Sequence, residues 1–406
     1  MREVLRNPAY AKLFSAQIVA LLGTGLLTVA LGLLAFDLAG GDAGVVLGIA
    51  LTIKMLAYVG AGPLLIAATS RVPRKALLIA ADVVRAAIAL LLPLVGEVWQ
   101  IYVLIFLLQC ASATFTPAFQ AVIPEILPDE RQYTRALSLS RLAYDLESLV
   151  SPALAAALLL VTTYSNLFLG TVVGFALSAL LVVATRFPAI EAQQGLTFFQ
   201  RLTQGARIFL RHAELRALLA LNLAVAAPTA MVIVNTVVLV QDRLARPQAD
   251  VAFLLAAYGA GSMVVALLLP RLLDRLRDRT VMLTGAATAT VGLAGATVAL
   301  LAEPAWPALL ALWAVLGAGN AAILTASARL LRRNASTQER PAVFAAQFSL
   351  SHACFIVTYP LAGSLGAAIG LGWTALVLGA IAGVATLAAA LLWTSREQAR
   401  LEPVTD

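Results

Sequence analysis

Apolar runs of about 20 residues, the length at which a helix rising about 1.5 Å per residue crosses a bilayer, recur along the whole chain. Residues 13–36, 45–68, 76–95, 99–122, 138–161 and 167–184 form six of them; residues 215–240, 251–269, 281–301, 306–330, 343–368 and 373–393 form six more. Runs this long and continuous exclude a membrane β-barrel, whose strands are short and alternate apolar with polar residues. A soluble core cannot absorb them either. Of the 406 residues, 61% are hydrophobic and 12% charged, against roughly 45–50% and about 25% in soluble domains. The expectation is an all-α integral membrane protein with twelve transmembrane helices.

The formal charge of +7 sits in the short connections between runs, which reads as a topology signal and not as a nucleic-acid patch. Arg2, Arg6 and Lys12, Arg71, Arg74 and Lys75, Arg131 and Arg135, Arg271 to Arg279, and Arg329 to Arg340 fall on one side; Arg243 and Arg246 fall on the other. The positive-inside rule then puts the loaded side, with both termini, in the cytoplasm. The basic first ten residues and the long run after them do not have the form of a cleavable signal peptide. The longest connection alternates Phe198, Leu202 and Phe209 with Arg201, Arg207 and Arg211, as an amphipathic surface helix would. Residues 1–185 and 215–394 are therefore expected to form two six-helix halves, joined by a linker over 186–214 and followed by a tail over 395–406. His212 in that linker reads as a solvated surface histidine.

The halves repeat a feature. Ser70-Arg71-Val72-Pro73-Arg74-Lys75 and Asp274-Arg275-Leu276-Arg277-Asp278-Arg279 each follow the second run of their half, as in a duplicated transporter. Together with Ser151-Pro152-Ala153-Leu154-Ala155-Ala156 in the fifth run, these strings make the chain resemble the major facilitator superfamily, in its exporter branch. The resemblance implies a major-facilitator fold, with Arg71, Arg74, Asp274 and Arg275 as gate latches pairing across the halves. Ile66 and Ser70 stand at the glycine and acidic places of the first loop pattern and Pro270 at the glycine place of the second, so the acidic half of the first gate is missing. Tyr133 to Glu147, Ser351-His352-Ala353-Cys354 and Thr358-Tyr359-Pro360 are more narrowly similar to bacterial nickel-resistance exporters of that superfamily, although the tail from Ser395 has no histidine.

Ionisable groups inside the runs are the candidates for chemistry, because charge at that depth costs free energy and is kept for function or matched by a partner. Asp145 and Glu147 in the fifth run are two apart, so a helix points them to different sides. Arg141 is placed to pair with Asp145; Asp145 and Glu147 are both candidate coupling carboxylates, Glu147 the better of the two. A carboxylate alternately sealed from water and opened to it exchanges a proton at each change. Lys54, mid-run, reads as the partner of a buried acid or as an anion contact. Asp82 and Arg85, three apart near one end of the third run, read as a structural ion pair. Gln17, Gln109, Asn222, Asn235 and Asn320 are polar candidates for binding solute or a neighbouring helix. His352 and Cys354 share the eleventh run with the same two-residue spacing, so they cannot chelate one ion side by side. His352, Cys354 and Glu147 remain possible metal ligands if other helices complete the set, and His352 reads equally as a proton carrier.

Neither a nucleotide-binding loop nor a catalytic triad is legible. The expectation is a non-enzymatic, cofactor-free, monomeric secondary exporter of a bacterial inner membrane, with protons as coupling ion. A divalent nickel or cobalt cation is the first candidate solute, an amphipathic drug or metabolite the second, and a non-transporting receptor on the same fold the alternative of another class.

Overall fold

The computed structural model describes residues 2–69, 72–187, 198–273, 276–336 and 339–393, and every regular element among them is helical. After a single turn, α1 (Arg2–Leu5), the first half is built from α2 (Pro8–Ala39), α3 (Ala43–Leu56), α4 (Gly62–Ala68), α5 (Arg74–Leu91), α6 (Val98–Ile126), α7 (Glu130–Leu159) and α8 (Tyr164–Val183). A connecting helix, α9 (Phe198–Arg211), leads to α10 (Ala213–Val237), α11 (Gln248–Leu273), α12 (Asp278–Leu301), α13 (Trp306–Arg333), α14 (Arg340–Ile369) and α15 (Leu371–Leu392). Helix starts follow from capping chemistry. Asn7 accepts from the amides of Ala9 and Tyr10 ahead of Pro8, Glu97 and Gln100 form a reciprocal box at α6, and Asp129 accepts from Gln132 at α7.

Ten stretches among the described residues are long and apolar enough to cross a bilayer, and one of them, Pro8–Ala61, runs through α2 and α3 together. The fifth expected run differs. Helix α7 starts at Glu130, earlier than the run at 138, and carries Arg135, Arg141, Asp145 and Glu147 ahead of the apolar stretch Val150–Leu159. The second expected run is one rod with a defect: α3 passes into a π-helical turn, Ala57–Ala61, before α4. Asp82 and Arg85 lie near the middle of α5, not near its end.

Contacts between connections define two ends of the bundle. Lys12 and Lys75 both reach the carbonyls that close α8, Ala184 at 3.0 Å and Thr185 at 2.8 Å, so the start of α2, the start of α5 and the end of α8 share the end that carries the basic loops. At the opposite end Tyr164 donates to Asp37 at 2.7 Å, and Arg243 donates to the carbonyl of Leu300.

Without water to squeeze out, helices in a bilayer associate through close van der Waals contact, which small residues permit. Helices α11 and α13 meet this way: a side chain on Gly317 would run into the backbone of Tyr258, and one on Gly261 into that of Ala314. The two halves meet where α7 packs on α11 and where α3 packs on α14; at the second seam a side chain on Gly363 would strike the backbone of Gly44 and one on Gly48 the carbonyl of Tyr359.

The buried apolar residues fall into three groups. One spans both halves toward the end opposite the basic loops, including Met55 of α3, Ala155 and Ala156 of α7, Met231 of α10 and Tyr359 of α14. Toward the basic end the core divides. One group belongs to the second half, with Val343 and Ala346 of α14, and the other to the first, with Ala136 and Leu139 of α7. Among the described residues the halves thus share one apolar core at the end opposite the basic loops and have separate apolar cores toward the basic end.

Overpacking the α11–α13 contact costs about 1–3 kcal/mol. Gly317→Leu is expected to lower the unfolding midpoint in detergent measurably. Gly96→Ala, where an added Cβ meets nothing within 4 Å, leaves it unchanged.

Candidate functional site

The level at which the shared core gives way to two separate ones is where the intramembrane charges lie. Lys54 is in the last turn of α3 beside Met55, Glu147 lies between Leu139 and Ala155 on α7, and His352 lies between Ala346 and Tyr359 on α14. All three side chains are partly buried. Lys54 is within electrostatic reach of both Glu147 and His352. No direct ion pair within 4 Å joins Lys54 to a carboxylate among the described residues. The charge centre therefore draws on both halves: Lys54 and Glu147 from the first, His352 from the second.

Local structure explains how these groups reach the junction. The π-turn Ala57–Ala61 follows directly after Lys54's helix and inserts an extra residue, a feature frequent at functional sites. Tyr58, in that turn, sits with its ring centroid 5.7 Å from that of His352 and 5.9 Å from that of Phe348. Phe348 and His352 stack one turn apart at 4.0 Å. The Nδ1 atom of His352 lies 2.6 Å from the carbonyl oxygen of Phe348. A carbonyl only accepts, so Nδ1 carries the proton, and Nε2 is the ring nitrogen left open to another partner. Glu147 is brought against α2 by Gly25, where any side chain would collide with Ser151 and Glu147. Lys54 also lines a small cavity of about 30 Å³ with Gln109, Thr24 and Thr28, room for a water molecule.

Below this level the first half holds a closed ion pair. Arg85 donates to Asp82, whose second oxygen accepts from Ser178 at 2.7 Å. The guanidinium lies between the rings of Phe115 and Phe175, 4.2 and 4.5 Å from their centroids. In the second half polar side chains tie neighbouring helices together. Asn222 and Gln347 exchange amide hydrogen bonds at 3.2 and 2.9 Å, and Asn320 donates to Thr229 and Tyr258, each at 2.8 Å. Asn222 and Asn320 are therefore helix-to-helix ties in this arrangement.

Several expected site residues come out differently. Cys354 Sγ points back to the carbonyl of Leu350 at 3.5 Å, a turn of its own helix, and among the described residues no three His, Cys, Asp or Glu side chains converge as a metal site. The expected Arg141–Asp145 pairing involves side chains that lie outside the described residues, as do Arg71, Asp274 and Arg275. Arg74 forms an ion pair with Glu125 of α6, within its own half, where the end of α6 and the start of α5 share the basic end. His212 is exposed at the N-cap of α10.

The sequence pattern of the Major Facilitator Superfamily matches residues 13–244 and again residues 218–405. The chain belongs to the Major Facilitator Superfamily. Solved structures repeat its fold: a bacterial homologue of the human lysosomal transporter Spinster superposes with a TM-score of 0.74 at 13% identity over 95% of this chain and 96% of that one. The nucleoside transporter NupG does so with a TM-score of 0.70 at 13% identity over 96% and 100%. Among sequence relatives, macrolide efflux protein A of Streptococcus pyogenes is 27% identical over 215 residues, 51% of this chain and 52% of that protein. The protein of the same name from Enterococcus faecalis is 29% identical over 172 residues, 40% and 53% of the two chains. The chain matches about half the length of these relatives. A likeness to nickel-resistance exporters is not among these findings.

One cluster in this superfamily member escaped sequence reasoning. Glu214, at the start of α10, is ion-paired with Arg333 and accepts from Asn334 at 2.6 Å and from Trp393 at 3.4 Å. Asp278, opening α12, faces Arg329 at 3.4 Å and Arg333 at 3.5 Å. The arginines carried a topology signal in the sequence; nothing in their spacing revealed the two buried acids they neutralise.

The Asp82–Arg85 pair gives a direct test. Arg85→Met strands a buried carboxylate and is expected to cost about 3–5 kcal/mol, seen as loss of folded protein in detergent chromatography. Asp82→Leu combined with Arg85→Met recovers most of the loss.

Proposed function

We propose that the chain is a secondary active exporter of an amphipathic organic solute, working by alternating access and driven by proton entry through Glu147. On this reading twelve spans in two halves cross a bacterial inner membrane with both termini and the basic loops in the cytoplasm, and the arrangement described above is the one open to the cytoplasmic side. The observation that carries it is the placement of Lys54, Glu147 and His352 at the floor of the division between the halves. Groups at that level are exposed to one side when the basic end is open. They would face the other side once the basic end closes and the α3–α14 seam parts.

The chemistry supports proton exchange. Glu147 and Lys54 are near enough to offset each other's charge but not locked together, so a proton delivered to the carboxylate frees the ammonium, and solute entering the division competes for the same groups. The solute class follows from the surroundings. Phe348, Tyr58 and the largely apolar helices around the charges suit an amphipathic molecule, and a macrolide is the compound class named for the efflux relatives. A transition metal would need at least three converging donors, and the described residues supply His352 with a single available nitrogen.

Proteoliposomes loaded with a labelled macrolide and given an inward-acid or outward-acid pH gradient test the reading. Wild-type protein should move the compound against the proton flow, and folded Glu147→Gln should fall to the level of empty vesicles. Undiminished transport by Glu147→Gln would remove that residue from coupling. Movement of nickel or cobalt that is lost in His352→Ala, with the macrolide static, would replace the solute class.

A further inference from the structure

Helix α9 presents two opposed faces. Successive residues turn by about 100°, which places Gly205, Ile208 and Phe209 on one side and Thr203, Arg207, Leu210 and Arg211 on the other. The first side is docked: Ile208 and Phe209 are buried in the core of the second half, and a side chain on Gly205 would collide with the backbone of Ala342, near the start of α14. On the second side Arg207, Leu210 and Arg211 face outward. Arg207 and Arg211 are exposed, neither has an ion-pair partner among the described residues, and Leu210 between them is 61% exposed.

A leucine flanked by two unpaired arginines one turn apart is badly matched to open water and well matched to the boundary between lipid headgroups and acyl chains. There the apolar side chain enters the hydrocarbon and the guanidiniums meet phosphates. The helix lies at the basic end of the bundle, beside the start of α14. We propose that the Arg207, Leu210 and Arg211 face of α9 is a binding surface for anionic phospholipid headgroups, and that occupancy is transmitted to α14 through the Gly205–Ala342 contact. Close backbone packing makes that contact stiff, so α9 cannot change depth in the membrane without taking the first turns of α14 with it. The same helix carries Phe348 and His352 two to three turns further on. The proposal concerns the lipid, not the solute or the coupling ion, and stands apart from the transport reading.

The test needs no solute. The full-length protein in nanodiscs or detergent is titrated with phosphatidylglycerol and, separately, with phosphatidylcholine, and lipid retention is read by native mass spectrometry. Hydrogen–deuterium exchange is followed over residues 340–352. Wild-type protein should retain phosphatidylglycerol preferentially, with retention weakened by salt and by about fivefold for each arginine removed in Arg207→Gln and Arg211→Gln. Phosphatidylglycerol should also slow exchange over residues 340–352 in the wild type and not in the double variant. Gly205→Ala, folded but with its docking loosened, should keep the lipid and lose the effect on exchange. Equal retention of the two lipids, or a double variant indistinguishable from wild type, would overturn the proposal. So would arginine-dependent binding of a short RNA with no lipid preference.

Discussion

A charge placed among apolar helices must be answered by a neighbour, since hydrocarbon offers neither water nor counterion, and this requirement organises the molecule more than any single packing contact. The two answers found here differ in kind. Asp82 and Arg85 are closed on themselves: the carboxylate is filled by Arg85 and Ser178, and the guanidinium is held between Phe115 and Phe175. Such an arrangement fixes α5 against α6 and α8. Lys54 and Glu147 answer each other at a distance, with His352 alongside from the other half. A loosely matched pair costs more than a closed one, and what it offers in return is the freedom to change partners.

That freedom has meaning only at a particular depth. The shared core around Met55, Ala155 and Tyr359 gives way to separate cores around Leu139 and Val343, and the charges lie at the transition. On the sealed side, glycines let α3 and α14 approach backbone to backbone. Contacts of that sort are numerous, individually weak and non-directional, so they can be made and broken as a set. The polar ties of the second half, Asn222 with Gln347 and Asn320 with Thr229 and Tyr258, stay within that half and keep it rigid while its relation to the other half changes.

What the sequence made legible is what depends on neighbours in the chain. Apolar runs gave the helices, and the three-residue spacing of Asp82 and Arg85 gave their pairing, because both are fixed by helix geometry alone. The partners across helices were not legible. Ser178, Phe115, Gln347 and Tyr58 are found only once the rotation and depth of each helix are known, and neither is written locally. Charge counting even concealed one site: Arg329 and Arg333 carry the same topology signal whether they face water or neutralise Glu214 and Asp278.

His352 illustrates how far a residue type can be over-read. An imidazole within a spanning helix suggests metal, but its Nδ1 is already committed to the carbonyl of Phe348, one turn back on the same helix. Cys354 has turned to its own helix in the same manner. One nitrogen remains, flanked by two aromatic rings and within the field of Lys54. A nearby ammonium repels a cation approaching that nitrogen, whereas it does not disfavour a neutral hydroxyl or amide donating to it. On the proposed reading, His352 would serve as a single directional hydrogen-bond partner for a polar group on a largely apolar solute, a role that needs no help from other ligating side chains.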